Sequence, residues 1–265
     1  MELFTILMSG LLATGSPLGL VVEDIMGDRL DQRMLATEDL AVRIDNLPAH
    51  QIIHGDMDRL RIAAHGVKLL SNLRLDTVEL ETDPLSFDLE QLRQRKFNAD
   101  TLREPVQAGL KLVFTEADLN TALRSPQIRA TLQPLINRLL TRPGSPKPAQ
   151  VRLTEATIDM QDKNRFQFVG KITQTDPQTG IEQISDLNLA FTLNLVSGSQ
   201  VDWLEAEGTL DGTALNPLML QGFSQAMGQR LNLQRFQEGG VTARFLQLAM
   251  DEQQMQMAMF MRVDL

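Results

Sequence analysis

The sequence predicts an α+β protein: a long, curved antiparallel sheet with a few amphipathic helices. Three observations predict its elements. From residue 39 onward, apolar and polar residues alternate over most of the chain, the mark of half-buried strands. Neighbouring strand patterns are joined by short turns, which forces antiparallel pairing, since a parallel crossover needs a dozen or more residues. Helical patterns follow the strands in both halves and are fewer than the strands, so the sheet has an oily face and a polar one.

Taken in order, Leu40, Val42 and Ile44 point one way and Ala41, Arg43 and Asp45 the other. Asn46 to Gly55, with Pro48, reads as a turn around a short strand at Gln51 to His54. Leu60, Ile62 and Ala64 alternate with Arg59 and Arg61; Leu73 and Leu75 alternate with Arg74 and Asp76, with a register change before Val78 and Leu80. Val106, Ala108, Leu110, Leu112 and Phe114 form the cleanest strand of the first half. Thr115-Glu116-Ala117-Asp118 is a capping-box signature, in which a hydroxyl and a carboxylate satisfy orphan backbone donors at a helix start. Ser125-Pro126 opens a second helix with an apolar stripe of Ile128, Leu132, Leu135, Ile136, Leu139 and Leu140, and Pro134 is expected to kink it.

Strands resume at about residue 150. Phe166 and Phe168 alternate with Arg165 and Gln167; Leu187, Leu189, Phe191, Leu193 and Leu195 share one face; Val201 to Leu210 is a further strand. Residues 214 to 228 read as a helix, and the chain closes with a hairpin turning near Asp251-Glu252. Its last strand sets Met255, Met257, Met259, Met261, Val263 and Leu265 on one face.

The start of the chain divides in two. Ser16-Pro17 signals a helix start, followed by an amphipathic helix with Leu18, Val21, Val22, Ile25, Met26 and Leu30 on one side. Only Leu3 to Gly15 is purely apolar; as a helix rising about 1.5 Å per residue it falls well short of a hydrocarbon core of ~30 Å. Segment 1–15 reads either as a signal-peptide core, with Ala13 and Gly15 placed for cleavage, or as an apolar tail packed on the domain or resting on a membrane. Residues 16–265 form one elongated domain, with halves 16–141 and 149–265 joined by a Pro/Gly-rich linker at 142–148.

Composition excludes several chemistries. A net charge of −9 repels phosphate backbones, so nucleic acid is a poor partner. With no cysteine there is no disulfide, thiol nucleophile or thiolate metal site. His50 and His54 lie four apart, which would align ligands on a helix, but they flank a turn and short strand with no H-E-x-x-H pattern and no identifiable third ligand. They and His65 therefore read as structural or surface residues, and no metal or cofactor is expected. Gly222-Phe-Ser224-Gln-Ala226 faintly resembles a nucleophile elbow, but a helical segment precedes the serine and every histidine lies upstream, so Ser224 reads as helix interior and the chain as no enzyme. Thirteen methionines stand in for scarce aromatics, and this flexible side chain suits an adaptable apolar pocket. One basic cluster, Arg93, Arg95 and Lys96, stands out for a phosphate headgroup or an anionic membrane, against the ordinary reading as a solvated loop.

Four stretches carry a resemblance to a known family: Ser16-Pro17-Leu-Gly-Leu opening a helix, Gly55-Asp-Met-Asp-Arg-Leu-Arg-Ile62, Val78-Glu-Leu-Glu-Thr-Asp-Pro84, and Phe114-Thr-Glu-Ala-Asp-Leu-Asn120 through Leu123-Arg-Ser-Pro126. Together they resemble the LmeA-like phospholipid-binding family, and the chain looks most like its cyanobacterial branch. The resemblance implies a relative of the tubular lipid-binding folds, in which a strongly curved sheet wraps a helix and leaves an apolar groove. It also implies phospholipid binding at the cell envelope, periplasmic or membrane-associated, with no catalytic residues.

The function expected is therefore binding or transfer of a phospholipid or other acyl-chain lipid, with the membrane surface as a second partner. The lining expected is Leu187, Leu189, Phe191, Leu193 and Leu195, with Met255, Met257, Met259 and Met261, and Leu110, Leu112 and Phe114. The competing expectation is a membrane-associated scaffold in which these same stripes form a dry core. Oligomeric state is not legible.

Overall fold

A computed structural model of the chain describes residues 37–46, 54–70, 73–88, 102–141, 151–175 and 182–264. The expected N-terminal segment and helix, the Gln51 strand, the linker at 142–148, His50 and the Arg93, Arg95, Lys96 cluster lie outside the described residues.

Thirteen strands are described: β1 (Asp39–Asp45), β2 (Asp56–Met57), β3 (Arg59–Leu70), β4 (Leu73–Thr82), β5 (Leu85–Ser86), β6 (Val106–Thr115), β7 (Arg152–Gln161), β8 (Arg165–Thr175), β9 (Glu182–Val196), β10 (Gln200–Leu210), β11 (Thr213–Ala214), β12 (Val241–Met250) and β13 (Gln254–Val263). Three α-helices join them: α1 (Glu116–Leu123), α2 (Pro126–Leu139) and α3 (Pro217–Arg230), with a 3-10 helix at Leu233–Gly239. A six-stranded sheet runs β1-β3-β4-β6-β13-β12, a five-stranded sheet runs β11-β10-β9-β8-β7, and β2 pairs with β5.

This corrects the expected architecture. The protein is α+β with antiparallel sheets, but its strands divide between two large open sheets, none of them closed or strongly curled, so the tubular, wrapped-sheet form does not hold. The physical reason is that period-two alternation reports one-sided burial and is the same for flat and curled sheets; closure needs a shear and tilt that alternation does not encode.

Contacts divide the chain into two units. The first comprises Met1–Val113, Leu233–Gln247 and Met257–Leu265. Its register stacks Val42, Ile62, Leu80 and Leu110 in one row across β1, β3, β4 and β6, and Leu40, Ala64, Val78 and Leu112 in the next. In β3, β4 and β6 these residues are buried up to Leu110, and only Leu112 is half-exposed. In β4 the buried side switches between Thr77 and Val78, where the alternation slips as the sequence suggested. Gly66 takes a left-handed φ of 63° within β3, and a side chain there would run into Glu38, which is tied to Arg74 at 2.9 Å.

The second unit comprises Phe114–Asn232 and Leu248–Gln256. Its five-stranded sheet buries Phe166, Phe168, Leu187, Leu189, Phe191 and Leu193. Phe223 of α3 stacks on Phe191 with ring centroids 5.4 Å apart, and the indole of Trp203 meets Phe166 and Phe191 edge-on at 5.2 Å each. Gly208 lets α3 approach, since a Cβ there would lie 3.0 Å from Leu220 and 2.9 Å from Leu189. Ser197-Gly198 and Asp211-Gly212 both have positive φ at the two turn residues, the primed geometry that matches the twist of hairpin strands.

The helices α1 and α2 also serve the edge of this sheet. Thr115 caps α1 by accepting from the Asp118 amide at 3.1 Å, as its capping-box sequence predicts. Along β7, Glu116 accepts from Met160 N, Asn120 bonds both N and O of Ile158, Arg129 donates to Thr154 O, and Gln133 accepts from Leu153 N and donates to Val151 O. Four residues of helix rise about 6 Å and two residues of strand rise about 6.6 Å, so side chains at i and i+4 keep step with alternate strand residues. Polar helix side chains thus occupy the hydrogen-bonding edge that another strand would fill.

Candidate functional site

The outer face of the first unit's sheet holds a shallow groove of about 420 Å³. Its floor is set by register. One row places Ala41, Ala63, Glu79 and Lys111 side by side, and the next places Arg43, Arg61, Glu81 and Gly109. Ile62, Leu80 and Leu110, with Leu246 of β12 and Ala258 and Met259 of β13, complete the lining.

Small residues at Ala41, Ala63 and Gly109 leave the floor low, and a Cβ built on Gly109 meets nothing nearer than the Glu81 carbonyl oxygen at 4.0 Å. The rim is charged and paired. Lys111 lies 3.1 Å from Glu79, Arg59 lies 3.3 Å from Glu81, and Arg61 bridges Asp45 at 3.3 Å and Glu81 at 3.4 Å. The Arg61 Nε contact with Glu81 is close enough for Coulombic attraction but misaligned for a hydrogen bond, so this buried N–H donates to no acceptor. The Arg43 hydrogen bond to Asp45, helped by the charges of Arg43, Arg61 and Arg59, holds the Asp45 carboxyl below the usual range. Exposed pairs of this kind contribute little stability, so exchanging their partners costs little.

Beside the charges lies apolar surface. Leu246 is 65 % exposed. β13 sits between β6 and β12, yet every residue from Gln254 to Met261 is only half-buried. Met257, Met259 and Met261 alternate with Ala258 and Phe260, so both sides of this strand are apolar.

Of the other expected lining residues, Leu110 alone reaches the groove. Leu187, Leu189, Phe191 and Leu193 are between 0 and 7 % exposed, within the aromatic packing of the second unit, and Leu195 is half-buried. Leu110 lines the groove from a buried position; Leu112 and Phe114 are half-buried, and Met255 belongs to the second unit. Ser224 lies inside α3. Its Oγ and the Trp203 Nε1 are buried without a hydrogen-bond partner. His65 faces Thr77 Oγ1 at 3.1 Å, and no cluster fit for a metal ion occurs among the described residues. No helix among the described residues is long and apolar enough to cross a membrane.

Sequence reasoning named Leu110 and Met259 but missed the rest of the groove, because its residues come from six strands that only the register brings together. One signal was available: Phe245-Leu246 breaks the alternation of β12 and forces one large apolar side chain outward.

Compared with known families, the chain matches the model of the one described as LmeA-like phospholipid-binding over residues 13–259. No curated protein and no solved structure matches it significantly.

Proposed function

Since the chain belongs to the LmeA-like phospholipid-binding family, a non-catalytic lipid-binding family, we propose that it binds a phospholipid at the cell envelope through the outer face of its six-stranded sheet. The observation that carries this reading is β13, a central strand apolar on both sides and half-exposed along most of its length. Strands buried on both faces read as continuous apolar runs; this one has the composition without the cover. An acyl chain laid along Met257, Met259 and Met261 supplies that cover, each buried methylene contributing about 0.8 kcal/mol. Methionine adapts to chains of different length and unsaturation. The paired charges of the groove lie next to this surface and receive the polar end of the lipid.

The stripe of Leu187, Leu189, Phe191 and Leu193 serves in this reading as dry core beneath α3, and the half-exposed methionines serve as the lipid surface. The test is to purify the full chain from native membranes, extract it and measure bound lipid by mass spectrometry, then offer the delipidated protein phospholipid vesicles. Co-purifying phospholipid and saturable uptake are expected. A delipidated chain that takes up none refutes the reading.

A further inference from the structure

Resting on that reading, we propose that the groove recognises a phospholipid whose headgroup is zwitterionic, a phosphate linked to an ammonium, in preference to an anionic one. The rim sets Arg43, Arg61 and Lys111 against Glu79 and Glu81, and each of these charges has an opposite partner within 3.4 Å or stands beside Asp45. An anionic headgroup placed on Arg61 displaces Glu81 and Asp45 and leaves their carboxylates facing phosphate. A zwitterion exchanges partners instead: its phosphate takes the guanidinium and its ammonium takes the released carboxylate, so no charge is left unmatched.

Geometry supports the exchange. Arg61 and Glu81 are cross-strand neighbours, and adjacent strands lie ~4.8 Å apart, close to the separation that a two-carbon link sets between phosphate and ammonium. The Arg61 Nε hydrogen is already without an acceptor, and the planar guanidinium fork suits phosphate oxygens. The low floor at Gly109 leaves room for the headgroup. The chain's net charge of −9 acts in the same direction, because it repels surfaces rich in anionic lipid.

The experiment offers the delipidated full chain three kinds of vesicle, made of phosphatidylethanolamine with phosphatidylcholine, of phosphatidylglycerol, or of an uncharged galactolipid, at low and high salt. Uptake from the zwitterionic vesicles is expected to exceed the other two by about fivefold or more and to change little with salt. Gly109→Val, which meets open space and suits a strand, is expected to fold normally and lose most of this uptake. Glu79→Gln with Glu81→Gln is expected to shift preference toward phosphatidylglycerol and make uptake salt-sensitive. Equal or greater uptake of phosphatidylglycerol or galactolipid overturns the headgroup assignment while leaving phospholipid or lipid binding intact, and so does undiminished uptake by Gly109→Val. Uptake of no lipid at all overturns this inference together with the reading on which it rests.

Discussion

Replacing Asn120 with alanine tests the idea that helix side chains close the β7 edge. The Asn120 amide accepts from Ile158 N at 2.7 Å and donates to Ile158 O at 2.8 Å, the two bonds that a neighbouring strand would make. Each such bond is worth about 1 kcal/mol net, and orphaned groups that stay shielded from water cost about 1–3 kcal/mol more. The site is part-buried, so water reaches some of what is exposed and the expected loss is about 2–3 kcal/mol. The one tryptophan of the chain, Trp203, stands in the aromatic cluster of the same unit, so its fluorescence follows that unit alone. With a urea dependence of about 1–3 kcal/mol per molar, the midpoint of the Trp203 transition should fall by roughly 1 M. Amide exchange at Ile158 should accelerate at the same time. Asn120→Asp keeps the acceptor and sets a carboxylate against the Ile158 carbonyl. That contact raises the carboxyl's pKa in the folded state, so the variant should be weak at neutral pH and regain stability as pH falls through that raised value, completely below the unfolded value of about 3.9, once it is protonated and can donate. If Asn120→Ala leaves both the Trp203 midpoint and Ile158 protection unchanged, the edge-closing argument is wrong.

Gly66→Ala should destabilise the first unit by about 1–2 kcal/mol or more, from the left-handed backbone together with displacement of Glu38 from Arg74; faster amide exchange in β3 and β4 checks it. Phe191→Ala should cost about 3–5 kcal/mol in the Trp203 transition while leaving lipid uptake by the folded protein intact, and uptake lost without loss of stability would place the lipid in that core. Leu246→Asp, at a site 65 % exposed, should hold stability within about 0.5 kcal/mol yet reduce vesicle uptake several-fold. Asp251 accepts from the amides of Gln253 and Gln254, and these bonds lower its carboxyl pKa. A lowered folded-state pKa means that its support of the β12–β13 turn is complete above the unfolded value of about 3.9 and is lost as pH falls through the folded one. Protection of the Gln253 and Gln254 amides, taken relative to their intrinsic exchange at each pH, should fall over that window in the native chain and show no such dependence in Asp251→Ala.

What the sequence carried was local. Alternation located β1, β3, β4, β6 and β8 to β10; the capping box located α1; Asp251-Glu252 located the final turn. Two features escaped because they are set between elements. The C-terminal hairpin returns to β6, skipping the five strands between, and nothing in the Met255 to Met261 pattern says which strand it joins. The polar residues Glu116, Asn120, Arg129 and Gln133 have the periodicity of a solvent-facing stripe. Only the rise they share with β7 turns that stripe into a row of edge bonds. The groove is the same case again: Ala41, Ala63 and Gly109 are unremarkable singly, and registered pairing makes them one floor.

The division of the strands between two sheets also changes what an oily face implies. In a sheet curled around its own helices, every apolar residue on the inner side faces the same interior, so stripes from both halves would share one ligand space. In two open sheets each stripe must be judged by its own cover. The five-stranded sheet meets that demand internally, with α3 setting Phe223 on Phe191 and burying Leu187 to Leu193 almost completely. The six-stranded sheet leaves Met259 and Leu246 partly in water beside a rim of exchangeable ion pairs, with Met257 and Met261 half-exposed along the same strand. Apolar area in contact with water costs about 25 cal/mol per Å², so a strand central to its sheet and half-exposed on both sides is a standing cost to the folded chain. A ligand with an apolar tail and a charged end removes that cost where the strand and the rim meet, and a ligand lacking either part removes only some of it.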